Sequence, residues 1–90
     1  PPNRVEDKVR NIAKHLNPGG TFIATLDECH GSNGMSYTIA KHAENQGLNE
    51  VCIETILESE HNSLMAIKAI KWIIIIIPNL AEPIIFLGLY

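Results

Sequence analysis

Apolar residues recur at helical spacing at the start of the chain. Val5, Val9, Ile12, Ala13 and Leu16 fall at i, i+4, i+7, i+8 and i+11 and make one stripe. Arg4, Glu6, Asp7, Lys8, Arg10 and Lys14 fill the other side. The pattern predicts an amphipathic helix with Asn3 as its N-cap and Glu6 three residues on, where a side chain reaches back to the cap. Asn17 tolerates the left-handed conformation that ends a helix, and Pro18 cannot continue one. Pro18-Gly19 suits the centre of a type II turn, whose second central residue needs a positive φ. A strand is predicted from Thr21 to Leu26.

Gly31, Ser32, Asn33 and Gly34 read as a loop, followed by a helix from Ser36 to Gln46 with Ile39, Ala40 and Ala43 inward and Gly47 as its stop. From Glu50 to Leu57, Val51, Ile53 and Thr55 alternate with Cys52, Glu54 and Ile56, which predicts a second strand. The order helix, strand, helix, strand favours an α/β layer arrangement with parallel pairing of the two strands. Between Ser63 and Lys71 a short helix fits better than a strand, because a strand would send Lys68 and Lys71 to opposite faces. The unbroken run from Trp72 to Ile77 has the composition of a central strand covered on both faces. Pro83 to Tyr90 is a second apolar run, expected to return as an edge strand or to pack on the sheet.

Composition narrows the function classes. Ninety residues form one small domain, with a core over 4–77 and an apolar tail over 78–90. A domain of this size buries only about 60–65% of its unfolded surface, so a partner surface is expected to matter. The net charge is −3, and five lysines and two arginines are scattered rather than clustered, which argues against a nucleic-acid surface. Cys29 and Cys52 are not in a CxxC arrangement and are expected to be free thiols. The chain begins Pro1-Pro2 rather than with Met, so a processed or truncated product is expected, and with no charged-then-apolar amino-terminal segment resembling a secretory signal a cytoplasmic origin is expected. His15, His42, Cys52 and His61 follow no zinc spacing, and no metal site is expected.

The segment Leu16-Asn17-Pro18-Gly19-Gly20-Thr21-Phe22-Ile23 resembles the "L-x-PGG-x-hydrophobic" sequence before the fifth strand of class I S-adenosylmethionine-dependent methyltransferases. In that family the turn leads into a strand, a helix closing on glycine, a sixth strand, and an apolar seventh strand inserted antiparallel between the fifth and sixth. The resemblance matches these parts to Thr21 to Leu26, Ser36 to Gln46 with Gly47, Glu50 to Leu57, and Trp72 to Ile77. It implies a partial Rossmann-like three-layer sandwich: two parallel strands, an apolar strand inserted antiparallel, and helices packed on the sheet. The short element before the last strand is similar to precorrin decarboxylating methyltransferases, and fibrillarin-like and ribosomal RNA 2′-O-methyltransferases fit comparably.

The resemblance implies S-adenosylmethionine as the cofactor of the complete protein, held by a Gly-rich loop and an acidic residue in a first half that these residues lack. None is expected to bind to the 90 residues alone, and the implied partner is the missing N-terminal half or a partner chain. Gly19-Gly20 follows a helix and precedes a strand, the wrong polarity for a cradle at a helix N-terminus. Ligands of open α/β sheets sit beyond the carboxyl ends of the strands, so Asp27, Glu28, Cys29 and His30 are the substrate-side candidates. Adjacent Asp27 and Glu28 diverge, so they fit solvated strand-end charges better than a paired acid and base.

Two other classes compete. A non-catalytic α/β interaction module would dock its apolar tail onto another chain or a second copy, forming a homo-oligomer. A membrane span from Trp72 to Tyr90 would have 19 residues, but it is opposed by two prolines and by Glu82. A central carboxylate alone costs roughly 2.5–3.5 kcal/mol on insertion.

Overall fold

The computed structural model describes residues 2–32, 34–75 and 84–86. Helix α1 spans Pro2–His15, strand β1 Thr21–Cys29, helix α2 Met35–Asn45, strand β2 Asn49–Glu58 and strand β3 Asn62–Ile70. Short strands β4, Ile73–Ile75, and β5, Ile84–Phe86, follow. The chain is thus a small α/β domain built on a three-stranded sheet of order β1-β3-β2, with β4 and β5 paired separately. Both β1 and β2 run antiparallel to β3, so they point the same way without touching.

The structure departs from the sequence pattern at several elements. The two predicted strands do not pair in parallel, because β3 lies between them. Residues 63–71 are not a helix: Asn62–Ile70 is the central strand. Lys68 and Lys71 do diverge, but each finds its own partner. Lys68 Nζ sits 3.2 Å from Glu54 Oε2 on one face, whereas Lys71 Nζ donates to the Ala13 and Leu16 carbonyls at 3.0 and 2.8 Å. The centre of the sheet goes to a strand rich in small residues rather than to the isoleucine run. Ala66, Ile67 and Ala69 are buried there, and the alanines leave room for close neighbours. Of the predicted strand Trp72 to Ile77, Ile73–Ile75 form β4 and pair with β5, Ile74 opposite Ile85, whereas Trp72 lies outside the strand. Residues 76–77 lie outside the described residues, as does most of the apolar run from Pro83 to Tyr90. Helix α1 begins at Pro2, which places Asn3 inside it rather than at its cap.

The core lies on one face of the sheet. Val9 and Ala13 of α1 and Ala40 and Ala43 of α2 pack with Phe22, Leu48, Ile67 and Ala69. Phe22 and Ala69 are register partners, as are Ala24 and Ile67, so one face of alternate residues meets the helices. Ile23, on the other face, is 61% exposed, and among the described residues no helix covers that side. The described residues therefore form two layers rather than three.

The predicted turn after α1 is formed as expected. Gly20 N–H donates to the Asn17 carbonyl at 2.8 Å and Gly19 has φ 85°, the conformation a type II turn requires. A side chain at Gly20 would meet the Asn17 carbonyl oxygen at 2.8 Å, so glycine is also needed for close approach. The turn is tied to the far end of β3: Gly19 N–H donates to the Lys71 carbonyl and Lys71 N–H to the Gly20 carbonyl. Helix α2 closes as predicted on Gly47, with Leu48 N–H bonded to the Ala43 carbonyl and Gly47 N–H to that of Glu44. This is a Schellman closure with buried Leu48 beyond it.

The sheet edges differ. Strand β2 carries Glu50, Glu54 and Glu58, has two register slips, and holds Glu50 at φ 53°. Such features block the addition of another strand. Strand β1 pairs with β3 in unbroken register for nine residues and has no lysine, proline or bulge. Among the described residues its outer edge is unpaired.

Candidate functional site

A cleft of about 270 Å³ opens at the carboxyl ends of β1 and β2, lined by Glu28, His30, Gly34, Thr55, Ser63 and Met65 among others. Three elements converge there. His30 follows β1 directly and is held by its backbone N–H, which donates to the His61 carbonyl at 2.8 Å and so extends the pairing of β1 with β3. Ser63, at the start of β3, pairs with Glu28 on one side and Glu58 on the other. It is 8% exposed.

The side chains form two separate polar sets. In the first, Ser63 Oγ donates to Glu58 Oε1 at 2.8 Å, and His30 Nε2 lies 3.1 Å from Ser63 Oγ and 3.5 Å from Glu58 Oε1. In the second, Glu28 Oε1 accepts from Ser36 N–H at 3.3 Å and Glu28 Oε2 accepts from Ser36 Oγ at 2.9 Å. Ser36 lies in the first turn of α2, whose N-cap is Gly34 at φ 76° with no capping side chain of its own. Glu28 supplies that cap from the neighbouring strand, so its carboxylate satisfies an otherwise unpaired helix donor and faces the positive end of the helix dipole.

The sequence candidates separate accordingly. Glu28 and His30 both line the cleft, but Glu28 is committed to the helix while His30 is half exposed. Asp27 is opposite Leu64 on the other face of β1 and is exposed. Cys29 lines the rim, and both it and Cys52 are exposed free thiols. Among the described residues no group of three or more His, Cys, Asp and Glu is placed to hold a metal ion.

Glu58 and Ser63 were not singled out by the sequence. Their signal was present in the polar turn between two apolar runs, whose strand ends lie at the same end of the sheet as His30. What the period could not show is the slip between Thr55 and Leu57. Thr55 faces the cleft opposite Met65, and regular alternation would turn Glu58 away from it. The extra residue, Ile56, restores Glu58 to the face of Ser63, and bulges commonly re-aim a side chain in this way.

The hydrogen-bond pattern is not that of a serine nucleophile. In such a triad the hydroxyl gives its proton to the imidazole and the carboxylate holds the other ring nitrogen. Here Ser63 donates to Glu58, and both contact the same nitrogen of His30. The cleft is a polar pocket with one half-exposed imidazole held by a buried hydroxyl. The chain matches no family model, no curated protein and no solved structure.

Proposed function

We propose that this chain is the carboxyl-terminal half of a class I methyltransferase-like domain and supplies the substrate side of a cytoplasmic S-adenosylmethionine-dependent enzyme. The observation that carries the reading is the strand order: after the helix and the PGG turn, β1 and β2 point the same way and β3 enters antiparallel between them. The family's inserted strand thereby corresponds to Asn62–Ile70 instead of Trp72 to Ile77. The unpaired, bulge-free edge of β1 supports a sheet that continues beyond these residues.

Gly19-Gly20 lies at the opposite end of β1 from the cleft, and its two amides are spent on the Lys71 and Asn17 carbonyls. The cofactor belongs, in this reading, to the preceding half. In methyl transfer, alignment of the two reacting groups supplies much of the rate, so few side chains need to react. The part left to this chain is a wall of the substrate site at the carboxyl strand ends, where open α/β sheets bind their ligands.

The interaction-module reading shares one observation, the free edge of β1, which would take a strand of a partner instead. The apolar tail proposed for that role lies mostly outside the described residues. Among the described residues no helix is long and apolar enough to cross a membrane.

Calorimetric titration separates these readings. The 90 residues alone should bind no S-adenosylmethionine, and the protein carrying its natural preceding sequence should bind it. Affinity in the 90 residues alone, or none in the longer protein, overturns the methyltransferase reading. A stable homodimer of the 90 residues with no cofactor binding in either form favours the module.

A further inference from the structure

We infer that His30 is the proton acceptor of the cleft, taking a proton at Nδ1 from an N–H or O–H group of a neutral bound ligand, with Ser63 and Glu58 as its positioning residues. The inference rests on reading the cleft as a substrate site. It follows from counting hydrogens. The Ser63 hydroxyl has one proton, and an ionised carboxylate can only accept, so the 2.8 Å contact between Ser63 Oγ and Glu58 Oε1 uses it. Ser63 Oγ must then meet His30 Nε2, 3.1 Å away, as an acceptor. Nε2 therefore carries the hydrogen, and in the neutral ring Nδ1 carries the lone pair.

The opposite case occurs in the same chain. His15 Nδ1 lies 2.8 Å from the Asn11 carbonyl oxygen, which only accepts, so His15 holds its hydrogen on Nδ1. The two histidines are fixed in opposite tautomers by their neighbours. Among the described residues His30 Nδ1 has no hydrogen-bond partner, whereas Nε2 is anchored.

The step balances without another reactant. The ligand's X–H bond breaks, its electron pair stays on X, and the proton bonds to Nδ1 to give an imidazolium. The ring charge then meets the Glu58 carboxylate, 3.5 Å from Nε2. The half-exposed ring can afterwards return the proton to water. The ligand class is thus a neutral alcohol, phenol or amine whose nucleophilic atom gains from losing a proton.

Long-range ¹H–¹⁵N NMR of the 90-residue chain, with phenol as the O–H probe, tests this without turnover. With the histidines neutral, His30 should be in the Nε2–H form and His15 in the Nδ1–H form. Phenol should shift the His30 Nδ1 resonance and leave His15, His42 and His61 unmoved. Ser63→Ala should weaken that response several-fold and mix the His30 tautomers, and Ser63→Thr should restore both. Glu58→Gln provides a second variant, expected to loosen the same tautomer, if Ser63→Ala does not fold. An Nδ1–H form at His30, a tautomer indifferent to both variants, or an equal phenol response at every histidine overturns the inference. Cofactor binding by the longer protein is read separately, so the methyltransferase reading can fail while this result stands, and the reverse.

Discussion

Glu58 stands opposite Ser63 on the cleft side of the sheet because β2 carries one residue more than β3 between Thr55 and Leu57. Ile56 and Leu57, at the bulge, are 54% and 66% exposed. Deleting Ile56 would regularise the strand while keeping Thr55 and Glu58 on their present face. We expect a folded protein whose His30 retains the Nε2–H form, as read by NMR. Loss of that signal in a folded deletion variant would mean that the bulge does not set the position of Glu58.

Lys71 links the end of α1 to the sheet. Its ammonium satisfies the Ala13 and Leu16 carbonyls, which the helix leaves unpaired, and its charge complements the negative end of the dipole. Lys71→Met keeps most of the stem but removes both bonds. Hydrogen bonds to charged groups contribute about 1.5–3 kcal/mol, so urea unfolding should show a loss of that order with an unchanged slope.

Gly20 and Gly47 are required for different reasons, and alanine distinguishes them. At Gly20 a Cβ meets the Asn17 carbonyl and the Leu16 side chain at 2.8 Å, so Gly20→Ala must displace the turn, at about 1–3 kcal/mol. At Gly47 nothing lies within 4 Å, but φ is 82°. There the cost is left-handed strain of about 1–2 kcal/mol. Denaturation should find both variants destabilised. Amide shifts should spread to Lys71 only in Gly20→Ala.

Glu28 is the candidate whose role the structure narrows most. Because both its oxygens face Ser36, Glu28→Gln should act first on helix α2. Loss of an N-cap typically costs about 0.5–2 kcal/mol. Faster hydrogen exchange at the Ser36 amide, with the His30 tautomer unchanged, is the expected result. A change at His30 without one at Ser36 would return Glu28 to the site.

Much of the fold was legible because local chemistry decides it. The α1 stripe, the Pro18-Gly19 turn and the Gly47 stop each follow from a few neighbouring residues. The place of β3 was not legible, because it depends on partners far along the chain. Lys68 answers to Glu54 and Lys71 to the end of α1, and no periodicity within 63–71 reveals either. The isoleucine run misled for a related reason: β-branched content marks a strand but does not say which sheet it joins. In the site, His30 and Glu28 could be named from the end of β1, whereas Ser63 and Glu58 required the β2 bulge and the hairpin to come into view.

The central position of β3 gives the sharpest energetic contrast in the molecule. Ile67 is fully buried, pairs with Ala24 and Ile53, and belongs to the core shared with both helices. Ile23, one position away from Ala24 on β1, faces outward. Removing the same atoms from the two isoleucines therefore tests burial at nearly constant chemistry. Ile67→Ala should cost about 2–5 kcal/mol, since the lost transfer energy is joined by a cavity that the packed helices cannot close. Ile23→Ala should change stability by no more than about 0.5 kcal/mol in the 90-residue chain. Equilibrium unfolding of both variants reads the difference. Were β3 a helix or an edge element instead, Ile67 would lose its double pairing and the two costs would converge. A large cost at Ile23 would instead mean that the outer face of the sheet is already covered in solution.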